Sequence, residues 1–190
     1  LAKLAIYSTK MKDFMNSQSN MLMPTTQSQK NDMSKSTILV SGDFLLSTSV
    51  ITCSKDGVFM AIGQREGSIS LYRLYYASNN SNEITHSSFI ATFPTAGSVS
   101  ICHISTLHFL LIAASFDHID RIDIGTRRTL KPIKTQFKIN CMAIDEYAGL
   151  IIAGGYSQIG VWTISGQEVL QTQIDSSVLS ITIPDLYESV

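Results

Sequence analysis

The side chains most able to do chemistry in this sequence are its histidines and cysteines, but their spacing does not predict a metal site. Cys102 and His103 are adjacent, which makes them the best-placed pair to ligate a metal. Their spacing from the other histidines and cysteines matches no zinc pattern, and neighbouring residues of a strand point to opposite faces. We therefore predict structural roles for both, with the cysteine as a small buried hydrophobe. The sequence predicts no metal site and no cofactor.

Hydrolytic chemistry needs acids near a base or a metal, and three carboxylates close predicted strands: Asp123, Asp145 and Glu146. No histidine recurs with them along the chain. The sequence also lacks the Gly-x-Ser-x-Gly pattern of a nucleophilic serine and a glycine-rich phosphate loop. Gly154-Gly155 fits the turn at the end of a strand. A hydrolase is therefore the weaker alternative, and we predict a non-enzymatic protein with no catalytic residues.

Composition describes a globular chain with little charge. The 190 residues are 44% hydrophobic and 15% charged, with a formal net charge of -1, so the charge balance predicts neither a nucleic-acid nor a basic partner. One basic cluster could contact a phosphate, although a solvated turn is the favoured interpretation. It consists of Arg127, Arg128, Lys131 and Lys134. We expect protein partners, no nucleic acid, and membranes only indirectly.

The three cysteines are odd in number and far apart, which indicates no disulfide framework and favours a reducing, cytoplasmic location. No apolar run approaches the roughly 18 residues that span a bilayer, and residues 1–10 lack the long apolar core of a signal peptide. The chain begins without methionine, so we expect it to be a piece of a longer protein.

The elements that would position any site are β-strands. Residues 139–174 hold four short apolar runs separated by turn-prone residues, with the only tryptophan, Trp162, in the third run. Runs of this length and spacing predict one antiparallel four-stranded sheet. Strand follows strand from residue 36 onward, and no window has a helical period. Residues 9–35 are rich in Ser, Gln, Asn, Thr and Met without periodicity, so we predict a disordered insert there.

The four-strand unit recurs along the chain, and two sets of landmarks show its period. One set marks the ends of the second strands: Gly63, Ala114 and Gly154. The other aligns positions within the third strands: Tyr72, Asp123 and Trp162. In both sets the first interval is about 50 residues and the second about 40 residues. An internal period of about 40 residues is typical of repeat architectures. This period predicts units at about 1–40, 45–93, 98–134, 139–174 and 177–190.

Residues 51–74, ITCSKDGVFMAIGQREGSISLYRL, carry the pattern most fully: a strand, a turn at Asp56-Gly57, a second strand, a turn at Glu66-Gly67 and a third strand. This unit resembles the WD40 repeat of a β-propeller, although the Trp-Asp and Gly-His pairs of that family are absent. The resemblance implies an all-β fold, a partial WD40-type β-propeller of four-stranded antiparallel blades. It also implies that the third-strand aromatic packs between neighbouring blades.

Residues 161–190, VWTISGQEVLQTQIDSSVLSITIPDLYESV, resemble the C-terminal propeller of BEACH-domain proteins, the neurobeachin and lysosomal-trafficking-regulator class. That resemblance implies a protein–protein scaffold in vesicle trafficking or autophagy, cytoplasmic and peripheral on endomembranes. Rigid blades would present loops to partners, and residues 9–35 and 77–86 are the candidate loops. The alternatives are a generic WD40 scaffold, a subunit of a coat or transport complex, and the weaker one, a propeller hydrolase.

Overall fold

The computed structural model describes residues 47–77 and 84–183 of the chain. From residue 48 onward, all regular elements in this part are β-strands, arranged in three antiparallel sheets, which confirms the predicted all-β class. The same part contains no apolar helix of membrane-spanning length. The predicted unit at 1–40, the insert at 9–35 and the end of the chain from residue 184 lie outside the described residues. The division of the chain into five units therefore stays a prediction.

Each sheet is built from strands that follow one another in sequence and pair with their neighbours. The first sheet has the order β1 (Thr48–Cys53), β2 (Phe59–Gln64), β3 (Ser68–Tyr76) and β4 (Ile84–Pro94). The middle sheet has β5 (Ile101–Ser105), β6 (Leu110–Ser115) and β7 (His118–Asp123), followed by two short strands that both pair with β7, namely β8 (Arg128–Thr129) and β9 (Ile133–Lys134). The third sheet has β10 (Cys141–Asp145), β11 (Leu150–Gly154), β12 (Gln158–Thr163) and β13 (Glu168–Gln173).

The fourth strand of the middle sheet is interrupted after β8. The Leu130 amide still donates to the Arg121 carbonyl (2.7 Å), but Pro132 has no amide hydrogen with which to continue the ladder. The chain leaves the sheet at residues 130–132 and returns at Ile133, which pairs with Ile119 of β7. The interruption leaves a gap along the outer edge of the middle sheet.

Two core clusters hold the sheets face to face, and the middle sheet contributes to both. Because successive residues of a strand point to opposite faces, Leu111 packs toward the first sheet and Ile112 toward the third. Every residue of β6 is buried for this reason. A third cluster lies on the other face of the first sheet and consists of Met60, Ile62, Tyr72, Leu74 and Ile84.

The prediction that Asp123 aligns with Tyr72 and Trp162 in the third strands is wrong. The equivalent residue lies across from the same point of the second strand in all three sheets: Tyr72 opposite Met60, Ile122 opposite Leu111, and Trp162 opposite Ile151. Asp123 is one residue further along β7 and only partly buried. The cause is the turn between β6 and β7, which has two residues where the turn between β2 and β3 has three.

Trp162 packs between two sheets, as predicted. Its side chain is 1% exposed and lies in the core cluster shared by the middle and third sheets. The centroid of its ring is 6.3 Å from that of Phe137. Ile122 lies at the corresponding place between the first and middle sheets. The position therefore requires a large apolar side chain that joins two blades, and an aliphatic residue fills it as well as an aromatic one.

A repeated backbone hydrogen bond joins each sheet to the segment that follows it. The amide of Val99 donates to the Gln64 carbonyl (3.2 Å), that of Ile139 to the Phe116 carbonyl (2.7 Å), and that of Val178 to the Gly155 carbonyl (2.9 Å). Each acceptor lies at or just after the end of a second strand, and the donors recur with the period of the repeat. We call these three bonds the blade joints.

Two boundaries differ from the predicted ones. The loop predicted at 77–86 is shorter, because β4 begins at Ile84 and the Ile84 side chain is buried beside Tyr72 and Leu74. Its central residues, 78–83, lie outside the described part. The unit predicted at 177–190 does not begin with a strand in the described part, since residues 174–183 contain none, although Val178 makes the third blade joint.

Candidate interaction surface

Two turns at equivalent places in the repeat lie side by side at one end of the middle and third sheets. Residues 106–109 join β5 to β6, and residues 146–149 join β10 to β11. His108 Nε2 donates a hydrogen bond to the Glu146 carbonyl (2.7 Å). The two turns are therefore in direct contact and form one continuous surface, which we call the turn surface.

The turn surface exposes three large apolar side chains. Leu107 is 58% exposed, Phe109 59% and Tyr147 66%. Leu107 and Tyr147 occupy the same position in their respective turns, one repeat apart. Apolar residues that cluster on adjoining rigid turns are typical of a binding surface, whereas single exposed apolar residues are ordinary.

Phe109 has a backbone conformation that a phenylalanine does not favour. Its φ is 52°, in the left-handed region, and the residue at the same position of the next turn is Gly149, with φ 65°. The two are equivalent in hydrogen bonding too, since their carbonyls accept from the amides of Ile124 and Ile164, both at 2.8 Å. The left-handed conformation costs a side-chain-bearing residue about 1–2 kcal/mol and glycine almost nothing.

Sequence reasoning did not single out Phe109 as a site residue. The signal that could have identified it is its alignment with Gly149, which takes the same position one repeat later. A bulky apolar residue that replaces glycine at a turn in one copy of a repeat has no folding advantage there.

The opposite end of the middle sheet offers a direct comparison. Phe116, in the turn between β6 and β7, also has a positive φ (45°) and is 63% exposed. The Lys138 ammonium lies over its ring, 5.7 Å from the centroid. This geometry is a cation–π contact, so the Phe116 ring has a partner within the chain.

The carboxylates considered for hydrolysis support turns. Oδ1 of Asp145 accepts hydrogen bonds from the amides two and three residues later (3.1 and 2.9 Å). Oδ1 of Asp123 accepts from the amide of Thr126 (2.8 Å). Glu146 contributes its backbone carbonyl to the bond with His108. Aspartates that bond to following amides in this way stabilise turns.

Cys102 and His103 lie on opposite faces of β5. Cys102 packs in the core between the first and middle sheets, and burial raises the pKa of its thiol to about 12. His103 points the other way and donates from Nε2 to the Met142 carbonyl of the third sheet (3.0 Å). Within residues 47–77 and 84–183, no group of three or more His, Cys, Asp or Glu side chains is placed to hold a metal ion.

Arg121 is a buried charge that sequence reasoning missed. It lies in β7, is 5% exposed, and takes the position that Leu71 has in the first sheet. Its Nη1 donates to the Ile164 carbonyl (2.8 Å) and its Nη2 to the Lys131 carbonyl (2.5 Å). Burial lowers the pKa of the guanidinium. Its partners are backbone carbonyls of the third sheet and of the interrupted segment, so Arg121 connects the two.

The hairpin of β3 and β4 carries a second group of aromatic side chains. The rings of Tyr75 and His86 stack with their centroids 4.3 Å apart, and Arg73 lies 5.6 Å from the Tyr75 centroid. Phe89 is 57% exposed and meets Tyr72 edge to face. These residues include His86, from the loop predicted as a binding element, but here they contact one another.

Comparison with known proteins identifies the architecture. The chain is similar to the solved structures described as the crystal structure of RRP9 WD40 repeats and the structure of U3-55K, each with a TM-score of 0.56 and 13% sequence identity. Each match covers 75% of this chain and 43% of the other chain. No family model and no curated protein matches the sequence. The fold is that of a partial WD40-type β-propeller, as predicted, and the chain spans less than half the length of these structures.

Proposed function

We propose that this protein is a non-enzymatic scaffold that binds other proteins through the turn surface. The observation that carries the proposal is Phe109: an exposed aromatic ring on a left-handed backbone, where the next repeat has glycine. Strain that packing does not explain collects at functional positions. A protein partner that covers this ring would offset the cost of the backbone conformation.

The surroundings of Phe109 suit a protein partner. Leu107 and Tyr147 add exposed apolar area in the same two turns, and aromatic residues are the most frequent anchors of protein interfaces. The His108–Glu146 bond (2.7 Å) fixes the two turns relative to each other before a partner arrives. Preorganisation of this kind reduces the entropy that binding must overcome.

The experiment compares two variants that make the same change at opposite ends of one sheet. Phe109→Gly removes the exposed ring and relieves the backbone strain. Phe116→Gly makes the same change at the other end, where the Lys138 ammonium lies over the ring, 5.7 Å from its centroid. Proteins captured by the wild-type chain are quantified against both variants, with folding checked by circular dichroism.

We expect Phe109→Gly to lose its partners while its stability is unchanged or increased, because glycine suits the left-handed backbone. Phe116→Gly should retain the partners. Equal retention by both variants would show that the turn surface does not bind, and equal loss would show that capture depends on general exposed hydrophobicity.

We further propose that the scaffold acts in vesicle trafficking or autophagy, as part of a BEACH-type protein in the cytoplasm. It is supported by the resemblance of residues 161–190, and the alternatives stay a generic WD40 scaffold or a subunit of a coat or transport complex. The discriminating observation is the coding sequence upstream of Leu1. A BEACH domain encoded there supports the assignment, and its absence from the full reading frame removes it.

A further inference from the structure

The buried Arg121 forms the inner end of a groove between the middle and third sheets. The groove is an open cavity of about 310 Å³, and it follows the gap that the interrupted fourth strand leaves. Its ionisable lining is three basic side chains and one carboxylate: Arg121, Lys131, Lys134 and Glu168. Cavities from about 300 Å³ upward accommodate small ligands.

The charge of Arg121 is not neutralised by its own contacts. Both Nη atoms bond to neutral carbonyls, and Nε is buried with no hydrogen-bond partner. In the part of the chain that the structure describes, no carboxylate pairs with this guanidinium. A buried charge without a counter-ion is unfavourable, since neutral dipoles replace its lost hydration incompletely. A guanidinium also retains donors beyond the two that are used.

We propose that this groove binds a phosphate group, held by Arg121 at its inner end and by Lys131 and Lys134 at its rim. The three basic side chains come from β7, from the interrupted segment and from β9, so the irregular fourth strand assembles the site. Arginine and lysine together suit phosphate, because guanidinium supplies directional hydrogen bonds and ammonium supplies charge. The site is independent of the turn surface.

The only tryptophan of the chain lies at the wall of this groove, although its side chain is only 1% exposed. Trp162 lines it together with Ser165 and Glu168, so an anion that enters places its charge beside the indole. The 190-residue chain is titrated with inorganic phosphate, with O-phosphoserine and with acetate, each at constant ionic strength maintained with chloride. Tryptophan emission and Tm are followed together.

We expect saturable changes in emission and a rise in Tm with phosphate, because a ligand that binds only the folded state stabilises it. The double variant Lys131→Gln/Lys134→Gln should bind phosphate about tenfold more weakly or worse, since it loses two charge-assisted contacts. The matched control is Arg127→Gln/Arg128→Gln, which removes the same charge from the exposed turn before β8 and from the start of β8, and should bind as the wild type does. Arg121→Lys tests the inner end and should also weaken binding.

The three ligands also distinguish the source of the phosphate group. Tighter binding of O-phosphoserine than of inorganic phosphate identifies a phosphorylated molecule as the source, and the reverse order identifies the free ion. The proposal is overturned if chloride alone reproduces the changes, if acetate binds as tightly as phosphate, or if the two double variants lose binding equally. Because the lysine variants lie at the exposed rim, their result does not depend on whether Arg121→Lys folds.

Discussion

His103 shows how the contact of one side chain with the next blade can make a protein sensitive to pH. Its Nε2 donates to the Met142 carbonyl across the boundary between the middle and third sheets. Burial lowers the pKa of His103, although the bond to Met142 and the charge of Glu146 act in the opposite direction. The folded chain therefore binds a proton here less readily than the unfolded chain does.

The partly buried His103 should make the protein less stable in acid. As pH falls below about 6.5, the unfolded state takes up a proton at His103 before the folded state does. This histidine therefore makes the free energy of unfolding decrease as pH falls below that value. His103→Gln keeps an N–H donor for Met142 and removes the titration, so its stability should decline less between about pH 7 and pH 5. Urea unfolding at several pH values measures this.

The control for His103 is His86→Gln, which changes a histidine on β4 that stacks on Tyr75 of the same sheet. We expect its stability to follow the wild-type dependence on pH. If His86→Gln flattened the curve as much as His103→Gln, the buried contact with Met142 would not be the source of the acid sensitivity.

Tight packing at the blade joints explains why glycines lie at or next to the last residue of two second strands, β2 and β11. A Cβ atom at Gly63 would lie 2.7 Å from Cγ1 of both Val50 and Val99, and one at Gly154 would lie 2.6 Å from Val178. These distances are shorter than van der Waals contact allows. The absence of a side chain lets Val99 and Val178 approach the strand closely enough to form the joints.

Gly63→Ala should therefore destabilise the chain by about 1–3 kcal/mol, the usual cost of forcing extra volume into a packed core. Gly97→Ala is the control, because a Cβ there has Ser115 Cβ at 3.9 Å as its nearest neighbour, and we expect a change within about 0.5 kcal/mol. Chemical denaturation compares the two. A Gly63→Ala variant as stable as Gly97→Ala would show that the joint adapts without cost.

The elements were far easier to predict from the sequence than the candidate sites were. Alternating apolar runs and glycine turns are local signals, so the four-strand unit and its repeat could be recognised. The offset between Asp123 and Ile122 depends on one residue fewer in a turn, which spacing alone does not reveal. Arg121 could not be recognised as buried, because its burial comes from a sheet that begins only at Cys141. Phe109 can be recognised only by aligning the two repeats, because Gly149 takes the same position in the next one.

The outer face of the third sheet is incompletely covered. Its residues Ile152, Ile159 and Val161 are only partly buried, and Leu170 is 51% exposed. The corresponding face of the middle sheet is covered by the third sheet. An open arc of blades exposes such faces at its ends.

We therefore expect the 190-residue chain to bind a dye specific for exposed apolar surface. Leu170→Lys should reduce that binding, because it places a charge on the outer face of β13. Gln171→Lys adds the same charge to the next residue of the strand, which points to the other face, and should leave dye binding unchanged. A cooperative monomeric transition without dye binding would contradict the open arc.

The blade joints also bear on how stability spreads through the protein. Each joint connects one sheet only to the segment that follows it, and the same bond recurs at every boundary between described sheets. We therefore expect the blades to behave like links in a one-dimensional lattice with nearest-neighbour coupling. In such a lattice, damage at one boundary lowers the cooperativity between two adjoining segments and leaves the remaining boundaries with their full coupling energy. A broken joint should divide a single unfolding transition into two.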